Sequence, residues 1–456
     1  MHSERRSERR SESQTGAAIA ARADSERPRQ LASRLWQADM RVSALTMADQ
    51  VVYSACNFLT AVIVARSCAA REFGLYILGL RLIDYLREVE GILISAPYVF
   101  FSPRLQGAER ARYTGSTLVH QLSFSFGGAA LFVLAAFALP LFSQPAGLVS
   151  AMWPLAFVAV TLPLQEYSRR ICFANFQTVA VIVLDATVML LQLGGLALLA
   201  RMEKMTINNA YWVIGAANGF AALCWLIWAQ RALAIAGDQA LVDFRRNFAR
   251  GRWLLASNLT LLADRQFFPW SLGAFHGTAA TGAYAACEGV INFIRAFLAS
   301  VGNFLGPRLA HARVRGGVEE VRRVVRRAAL LLGLATGMLC VIAAVFGGAL
   351  VKLIYGARYH GLHPIVALLA ANIFVNAVTT AHAYALSMTE GPDLNFRINL
   401  IGLALTVTAG LILVKAFGPI GAACGLLIST LVTGLLKYAA FERQSKKDGG
   451  ARARKR

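Results

Sequence analysis

Five charged side chains lie within one largely apolar stretch of the sequence, residues 77–101: Arg81, Asp84, Arg87, Glu88 and Glu90. In a helix, Arg81, Asp84 and Glu88 fall on one face, with Arg87 beside them. Asp84 is three residues from each arginine, which is the spacing of ion pairs along a helix. We expect this face either to carry a structural network of ion pairs or to line a wet cavity that handles charged cargo or protons, because charges facing lipid are expensive.

Asp84 and Glu88 lie one helical turn apart. Two close carboxylates can share a proton, since the charge of one disfavours ionisation of the other. We therefore predict that this pair couples transport to a proton gradient. In the alternative, Arg81 and Arg87 neutralise the two carboxylates and the pair is structural.

Two further arginines interrupt apolar stretches. Arg295 has no acidic residue three or four positions away, and Glu288 is two turns distant, about 10 Å. Arg265 has only Asp264 beside it, and adjacent residues point apart on a helix. An unpaired buried guanidinium is costly, so another helix or an anionic ligand must supply its partner. We predict that Arg295, Arg87, Arg265 and Arg81 form a cationic site, and the planar guanidinium fork suits phosphate.

The composition is that of an integral membrane protein. Of 456 residues, 57% are hydrophobic and only 16% are charged, with a mean hydropathy of +0.52. Soluble domains carry about 25% charged residues, so an ordinary cytosolic enzyme or a secreted domain is excluded. The net charge of +21 would suggest nucleic acid in a soluble protein. In a membrane protein it indicates basic cytoplasmic loops instead, and we expect no nucleic-acid partner.

Hydropathy divides the chain into twelve apolar segments of about the length that crosses a bilayer. The fold class is therefore all-α, with twelve transmembrane helices in two sets of six. We expect these regions in order: a disordered basic tail (1–43), an N-terminal six-helix lobe (44–230), a cytoplasmic inter-lobe loop (231–252), a C-terminal six-helix lobe (253–441) and a basic tail (442–456).

The distribution of lysine and arginine predicts the orientation. With the N-terminus in the cytoplasm, the inside segments carry 34 of these residues and the outside loops carry 7. Positive residues are enriched in cytoplasmic loops. Both termini are therefore expected in the cytoplasm, as an even number of spans requires.

The two halves show weak internal similarity at a shift of 208 residues. The identities pair Gly74 with Gly282, Tyr76 with Tyr284, Ile83 with Ile291 and Arg87 with Arg295. Six spans return the chain to the same side, so the halves form a parallel repeat about an axis along the membrane normal. Transporters of this design bind substrate between the halves, near the midplane.

Motifs of enzymatic chemistry are missing from the sequence. There is no phosphate-binding G-x-x-x-x-G-K-[ST] loop and no nucleophile–base arrangement, so we expect no enzyme activity and no cofactor. None of the seven cysteines lies within three residues of another. The histidines at 276, 360, 363 and 382 match no metal-ligand spacing on one helix, and we assign no metal.

Four segments resemble bacterial polysaccharide transporters, the Wzx-like O-antigen and teichoic-acid flippases. ADQVVYSACNFLTAVIVARSCAAREFGLYIL (48–78) is similar to the first span of that family and the loop after it. ISAPYVFFSPRLQGAERARYTGS (94–116), GRWLLASNLTLLADRQFFPWSLGAFHGTAATGAYAA (251–286) and FGPIGAACGLLIS (417–429) resemble the end of its second span, its seventh span and the entry to its last span.

The family belongs to an exporter superfamily with multidrug and toxin extrusion pumps and lipid II flippases. The resemblance implies two six-helix lobes in a V around a central cavity, with alternating access. It implies a bacterial inner-membrane flippase for undecaprenyl-pyrophosphate-linked oligosaccharide, serving O-antigen, capsule or exopolysaccharide synthesis. The partners would be this substrate, membrane lipids, and polymerase and chain-length proteins. The resemblance supplies no cavity residues.

Three alternatives stay open. A drug/cation antiporter of the same superfamily would favour a cavity dominated by carboxylates. A lipid II flippase often carries spans beyond twelve. A membrane scaffold without transport activity would not need charges near the midplane.

Overall fold

The computed structural model describes residues 45–142, 146–230, 233–234, 237–389 and 392–453. The N-terminal tail expected to be disordered (1–43) lies outside the described residues. In these ranges the chain folds into twelve long helices, in agreement with the predicted fold class.

The first six helices form the N-lobe. Helix α2 (70–104) contains a π-helical turn at Gly91–Ser95 and a final 3₁₀ turn at Ser102–Arg104. Its start is fixed because the Glu72 carboxylate accepts a hydrogen bond of 3.2 Å from the Ala69 amide. The other helices of the lobe are α1 (Leu45–Ser67), α3 (Gly107–Ala138), α4 (Ala146–Ala174), α5 (Thr178–Arg201) and α6 (Ile207–Ala229).

The last six helices form the C-lobe. Two continuous helical segments are each divided by a glycine with positive φ, Gly317 at 65° and Gly418 at 57°. Side chains other than glycine rarely adopt this conformation, so glycine allows the chain to reverse direction there. The helices are α7 (Gly237–His276), α8 (278–316), α9 (318–355), α10 (His363–Thr389), α11 (392–417) and α12 (419–453).

The protein is a multi-pass membrane protein. Eight of the helical segments in the described ranges are long and apolar enough to cross a bilayer. Helices α2, α7 and α8 are not among them, and these three form most of the contacts between the lobes. Their lower hydropathy follows from the charged residues that they carry.

The predicted inter-lobe loop (231–252) is largely helical, because α7 begins at Gly237. This first part of α7 packs on the N-lobe: Tyr113 Oη donates to Asn247 Oδ1 over 3.0 Å, and His120 Nε2 lies 2.7 Å from the carbonyl O of Ala240. The expected C-terminal tail also differs, since α12 continues to residue 453. Hydropathy marks where apolar residues end, and these helices continue past that point with polar residues.

The lobes meet closely where α2 begins and α8 begins. A Cβ atom built on Gly74 would lie 1.6 Å from the carbonyl O of Thr278, and one on Gly282 would lie 2.6 Å from the carbonyl O of Ala70. Only glycine permits this approach of two helix backbones. The repeat identity between Gly74 and Gly282 therefore has a structural reason: the equivalent helices of the two halves cross at these positions.

The loops around this crossing complete what we call the closed face, formed by residues 66–74, 276–282 and 353–361. Arg66 Nε donates to the carbonyl O of Ile354 over 2.7 Å. Arg358 Nη1 donates to the carbonyl O of Cys68 over 2.6 Å. The Phe73 and Tyr355 rings lie 6.1 Å apart. Hydrogen bonds and aromatic packing therefore hold the two lobes together at this face.

Candidate functional site

The charged face of α2 is joined by ion pairs. Arg81 Nη1 lies 3.6 Å from Asp84 Oδ2, and Arg87 Nη1 lies 3.5 Å from Asp84 Oδ1. Both pairs use the three-residue spacing seen in the sequence. Asp84 is shared between two guanidinium groups, which offsets part of the cost of taking these charges into the membrane.

Arg87 is neutralised further by α4. Its Nη2 lies 2.7 Å from Glu166 Oε1 and donates to Tyr53 Oη over 2.5 Å. Tyr53 Oη in turn donates to the same Glu166 oxygen over 2.8 Å. Arg87 therefore has two carboxylate partners in this conformation, Asp84 on its own helix and Glu166 on α4.

A second guanidinium, that of Arg169, holds three carboxylates of the N-lobe together. Its Nη2 lies 3.0 Å from Asp49 Oδ2 and 2.8 Å from Asp185 Oδ2, and its Nη1 lies 3.5 Å from Glu166 Oε2. Arg169 and its three partners are all buried. This role of Arg169 was not predicted from the sequence. The signal available was its position three residues after Glu166, one helical turn away on α4.

These residues surround a cavity of about 300 Å³ inside the N-lobe. Amide side chains extend its polar wall: Gln165 Nε2 donates to Asp185 Oδ1 over 3.0 Å, and Gln192 Nε2 donates to Thr60 Oγ1 over 2.7 Å. The charged residues of the lining are Arg81, Asp84, Arg87, Glu166 and Asp185, and the C-lobe contributes Asn292. Three carboxylates and two guanidinium groups make this wall rich in carboxylates.

Arg81 connects the two lobes. Its Nη2 lies 3.1 Å from Glu288 Oε2 on α8, and the two side chains are 26% and 12% exposed. Sequence reasoning treated Glu288 only as a distant neighbour of Arg295. The ion pair lies one to two turns from the glycine crossing on each helix, so it belongs to the contact that keeps the closed face together.

Arg295 and Arg265 differ from the arginines of α2. Both side chains are exposed, and none of the ion pairs between described residues includes either of them. Arg295 follows the cavity residue Asn292 by three positions and therefore lies on the same side of α8. Of the four predicted phosphate ligands, the structure brings Arg81 and Arg87 together in one network and leaves Arg295 and Arg265 apart from it.

The predicted proton-sharing pair, Asp84 and Glu88, lies one turn apart on α2. Asp84 interacts with Arg81 and Arg87, and in the part of the chain that the structure describes no hydrogen bond joins it to Glu88. Glu88 is partly exposed. Coupling through Asp84 and Glu88 stays a prediction.

Comparison with solved structures identifies the fold. An inward-facing multidrug resistance MATE family transporter of the MOP superfamily is similar with a TM-score of 0.66 and 13% identity, over 87% of this chain and 95% of that chain. The lipid II flippase MurJ, in an inward closed conformation, is similar with a TM-score of 0.63 and 13% identity, over 87% of this chain and 86% of that chain. A MATE transporter of Vibrio cholerae has a TM-score of 0.60 and 15% identity, over 89% and 96% of the two chains.

At these identities the likeness establishes the fold alone, which is the fold of these solved transporters. No protein-family model matches the chain, and no curated protein matches it.

Proposed function

We propose that this chain is a flippase that moves an undecaprenyl-pyrophosphate-linked oligosaccharide across the bacterial inner membrane by alternating access. The observation that carries the proposal is that Arg295 and Arg265 are exposed and take part in none of the ion pairs between described residues, in a fold shared with a lipid II flippase. The order of the Wzx-like motifs along the sequence supports an oligosaccharide as the cargo, with O-antigen, capsule or exopolysaccharide as the product.

The charge of the cargo explains why unpaired arginines are needed. A pyrophosphate carries several negative charges, and moving them through the membrane without compensation is prohibitive. Arg295 can supply compensation because it is not already neutralised, and its planar fork can hold two phosphate oxygens at once. Arg87, with Asp84 and Glu166 beside it, contributes only when that network rearranges.

In this proposal the cargo enters from the side opposite the closed face. The excess of lysine and arginine in the predicted inside segments favours a periplasmic closed face and cytoplasmic termini. Rocking of the lobes would break the contacts at the closed face and form new ones at the cytoplasmic ends. Polymerase and chain-length proteins would receive the cargo in the outer leaflet.

The proposal is tested in a strain that lacks the native protein, with surface polysaccharide as the measurement and membrane levels checked by immunoblot. Arg295→Ala should abolish export and leave lipid-linked oligosaccharide in the inner leaflet. Arg295→Lys should restore part of the activity, because it keeps the charge but loses the fork. Arg315→Ala, at an exposed site beside the α8–α9 turn, is the matched control and should export normally.

Normal export by a well-expressed Arg295→Ala protein would contradict the role of this residue in phosphate binding. Loss of export in Arg315→Ala as well would mean that any lost positive charge is harmful and that Arg295 has no special role.

A drug/cation antiporter is the second candidate, because the N-lobe cavity is rich in carboxylates. In that case Asp185 and Glu166 would bind protons or cations, and the cargo would be a cationic drug. Efflux of cationic dyes from cells expressing the chain, lost in Asp185→Asn, would favour this candidate. Surface polysaccharide that depends on the chain, without dye efflux, favours the flippase.

A further inference from the structure

A groove of about 1250 Å³ lies on the C-lobe, away from the cavity of the N-lobe. It runs along one side of α9, between α10 and α12. Gly333 and Gly337 lie in it on α9, and Phe374 and His382 line it on α10. The missing side chains of the two glycines allow α10 to approach: a Cβ on Gly337 would lie 3.3 Å from the Phe374 ring.

The groove changes character from one end to the other. From Arg322 to Met338 it follows sixteen residues of α9, which is about 24 Å along the helix. The part of the groove from Leu330 to Met338 is apolar and open to the surroundings. Its side chains Leu330, Leu334 and Met338 are 59%, 73% and 69% exposed. In a bilayer these residues meet acyl chains, so this part of the groove is suited to hold one.

The other end of the groove has three arginines and two carboxylates, Glu319 and Glu442, so its net charge is positive. Its arginines are Arg322, Arg323 and Arg326, and Arg326 lies about one helical turn after the other two. Arg322 is paired with Glu442 of α12, and Arg323 lies 2.5 Å from Glu320. Arg326 is exposed, and the ion pairs found among the described residues do not include it. The free guanidinium therefore stands next to the beginning of the apolar part.

We propose that this groove binds an anionic phospholipid of the surrounding bilayer, with its phosphate at Arg326 and an acyl chain along Leu330, Leu334 and Met338. A charged end followed by an apolar part, which together extend about 24 Å along α9, matches the order of headgroup and chain in a lipid. Basic pockets between transmembrane helices are suited to anionic headgroups. The site is separate from the transport route and does not depend on the proposed cargo.

The test uses the full chain, purified in detergent, with dioleoylphosphatidylglycerol and dioleoylphosphatidylcholine as probes in native mass spectrometry. The wild-type protein should retain phosphatidylglycerol in preference to phosphatidylcholine. Arg326→Gln should weaken retention of phosphatidylglycerol about fivefold, the effect typical of one basic residue at an anionic lipid surface. Leu334→Trp should reduce it by filling the apolar part.

Two matched controls separate the groove from the general surface. Arg327→Gln removes a neighbouring exposed charge that does not line the groove, and Leu331→Trp enlarges an exposed apolar residue that does not line it either. Both should bind like the wild type. Equal retention of the two phospholipids, or equal loss in Arg326→Gln and Arg327→Gln, would overturn the proposal. Displacement of phosphatidylglycerol by equimolar undecaprenyl pyrophosphate would assign the groove to the cargo and would also overturn it.

Discussion

Removing the charge of Glu288 should loosen the closed face. In Glu288→Gln, Arg81 loses the partner that joins it to the C-lobe at 3.1 Å but keeps Asp84 on its own helix. The ion pair exists only while the lobes are together at this face. Its loss therefore destabilises the closed conformation relative to one in which the lobes have separated there.

The size of the effect follows from burial. An exposed ion pair contributes about 0.2–1 kcal/mol, whereas removing one partner of a fully buried pair costs about 3–5 kcal/mol. The side chains of Arg81 and Glu288 are 26% and 12% exposed, between these limits. We expect about 1.5 kcal/mol, because Asp84 continues to compensate Arg81. This raises the population open at the closed face about tenfold.

A native cysteine reports this opening. Cys68 is buried at the closed face, where its carbonyl O accepts the hydrogen bond from Arg358. Burial raises the pKa of the Cys68 thiol to about 11, so almost no reactive thiolate is present at pH 8. When the face opens, the thiol is solvated and its pKa falls. The alkylation rate of Cys68, measured by peptide mass spectrometry, should therefore rise about tenfold in Glu288→Gln.

A double-mutant cycle isolates the ion pair from other effects. Arg81→Gln combined with Glu288→Gln should label no faster than the more reactive single variant, since both remove the same interaction. Glu442→Gln breaks an ion pair within the C-lobe, far from the closed face, and should leave labelling unchanged. The proposed role of the ion pair would be refuted if Cys68 of Glu288→Gln is alkylated at the wild-type rate. Additive increases of the alkylation rate in the double variant would also refute it.

Two further outcomes follow from the sequence and the fold. If Asp84 and Glu88 carry a proton, Asp84→Asn and Glu88→Gln should each lower transport and flatten its dependence on external pH. The measurement uses vesicles with an imposed pH gradient. Normal transport in both variants would mean that the two residues are structural. Reporter fusions at Gly277 and Gly316 should read periplasmic and cytoplasmic, and a cytoplasmic signal at Gly277 would contradict the division into two sets of six.

The architecture could be predicted because it depends on patterns that repeat along the chain. Apolar segments of bilayer length gave twelve helices, and the weak 208-residue repeat placed Gly74 and Gly282 in equivalent positions. The structure shows these two glycines at one helix crossing, where a side chain on either would collide with the other backbone. Local spacing was also sufficient for the ion pairs of Asp84, whose partners lie on the same helix.

The pairing between helices could not be predicted in this way. Glu166 neutralises Arg87 from 79 residues away, and Glu288 reaches Arg81 from 207 residues away. No periodicity in a single sequence specifies which faces of two distant helices meet. Arg169 was missed for another reason: hydropathy assigns an arginine to the polar surroundings of a span, although the charge of Arg169 is buried among three carboxylates.

The difference between the two repeats suggests a direct test of the cargo. The 208-residue shift aligns Arg87 with Arg295 and Asp84 with Asn292, so the N-lobe arginine has a carboxylate one turn before it where the C-lobe arginine has an amide. Asn292→Asp should give Arg295 the same partner at the spacing already observed between Asp84 and Arg87. A neutralised Arg295 would bind an anionic cargo more weakly, so polysaccharide export should fall several-fold. Asn292→Ala removes the amide without adding charge and should retain more activity. Equal export by Asn292→Asp and the wild type would show that an unpaired charge at Arg295 is not required.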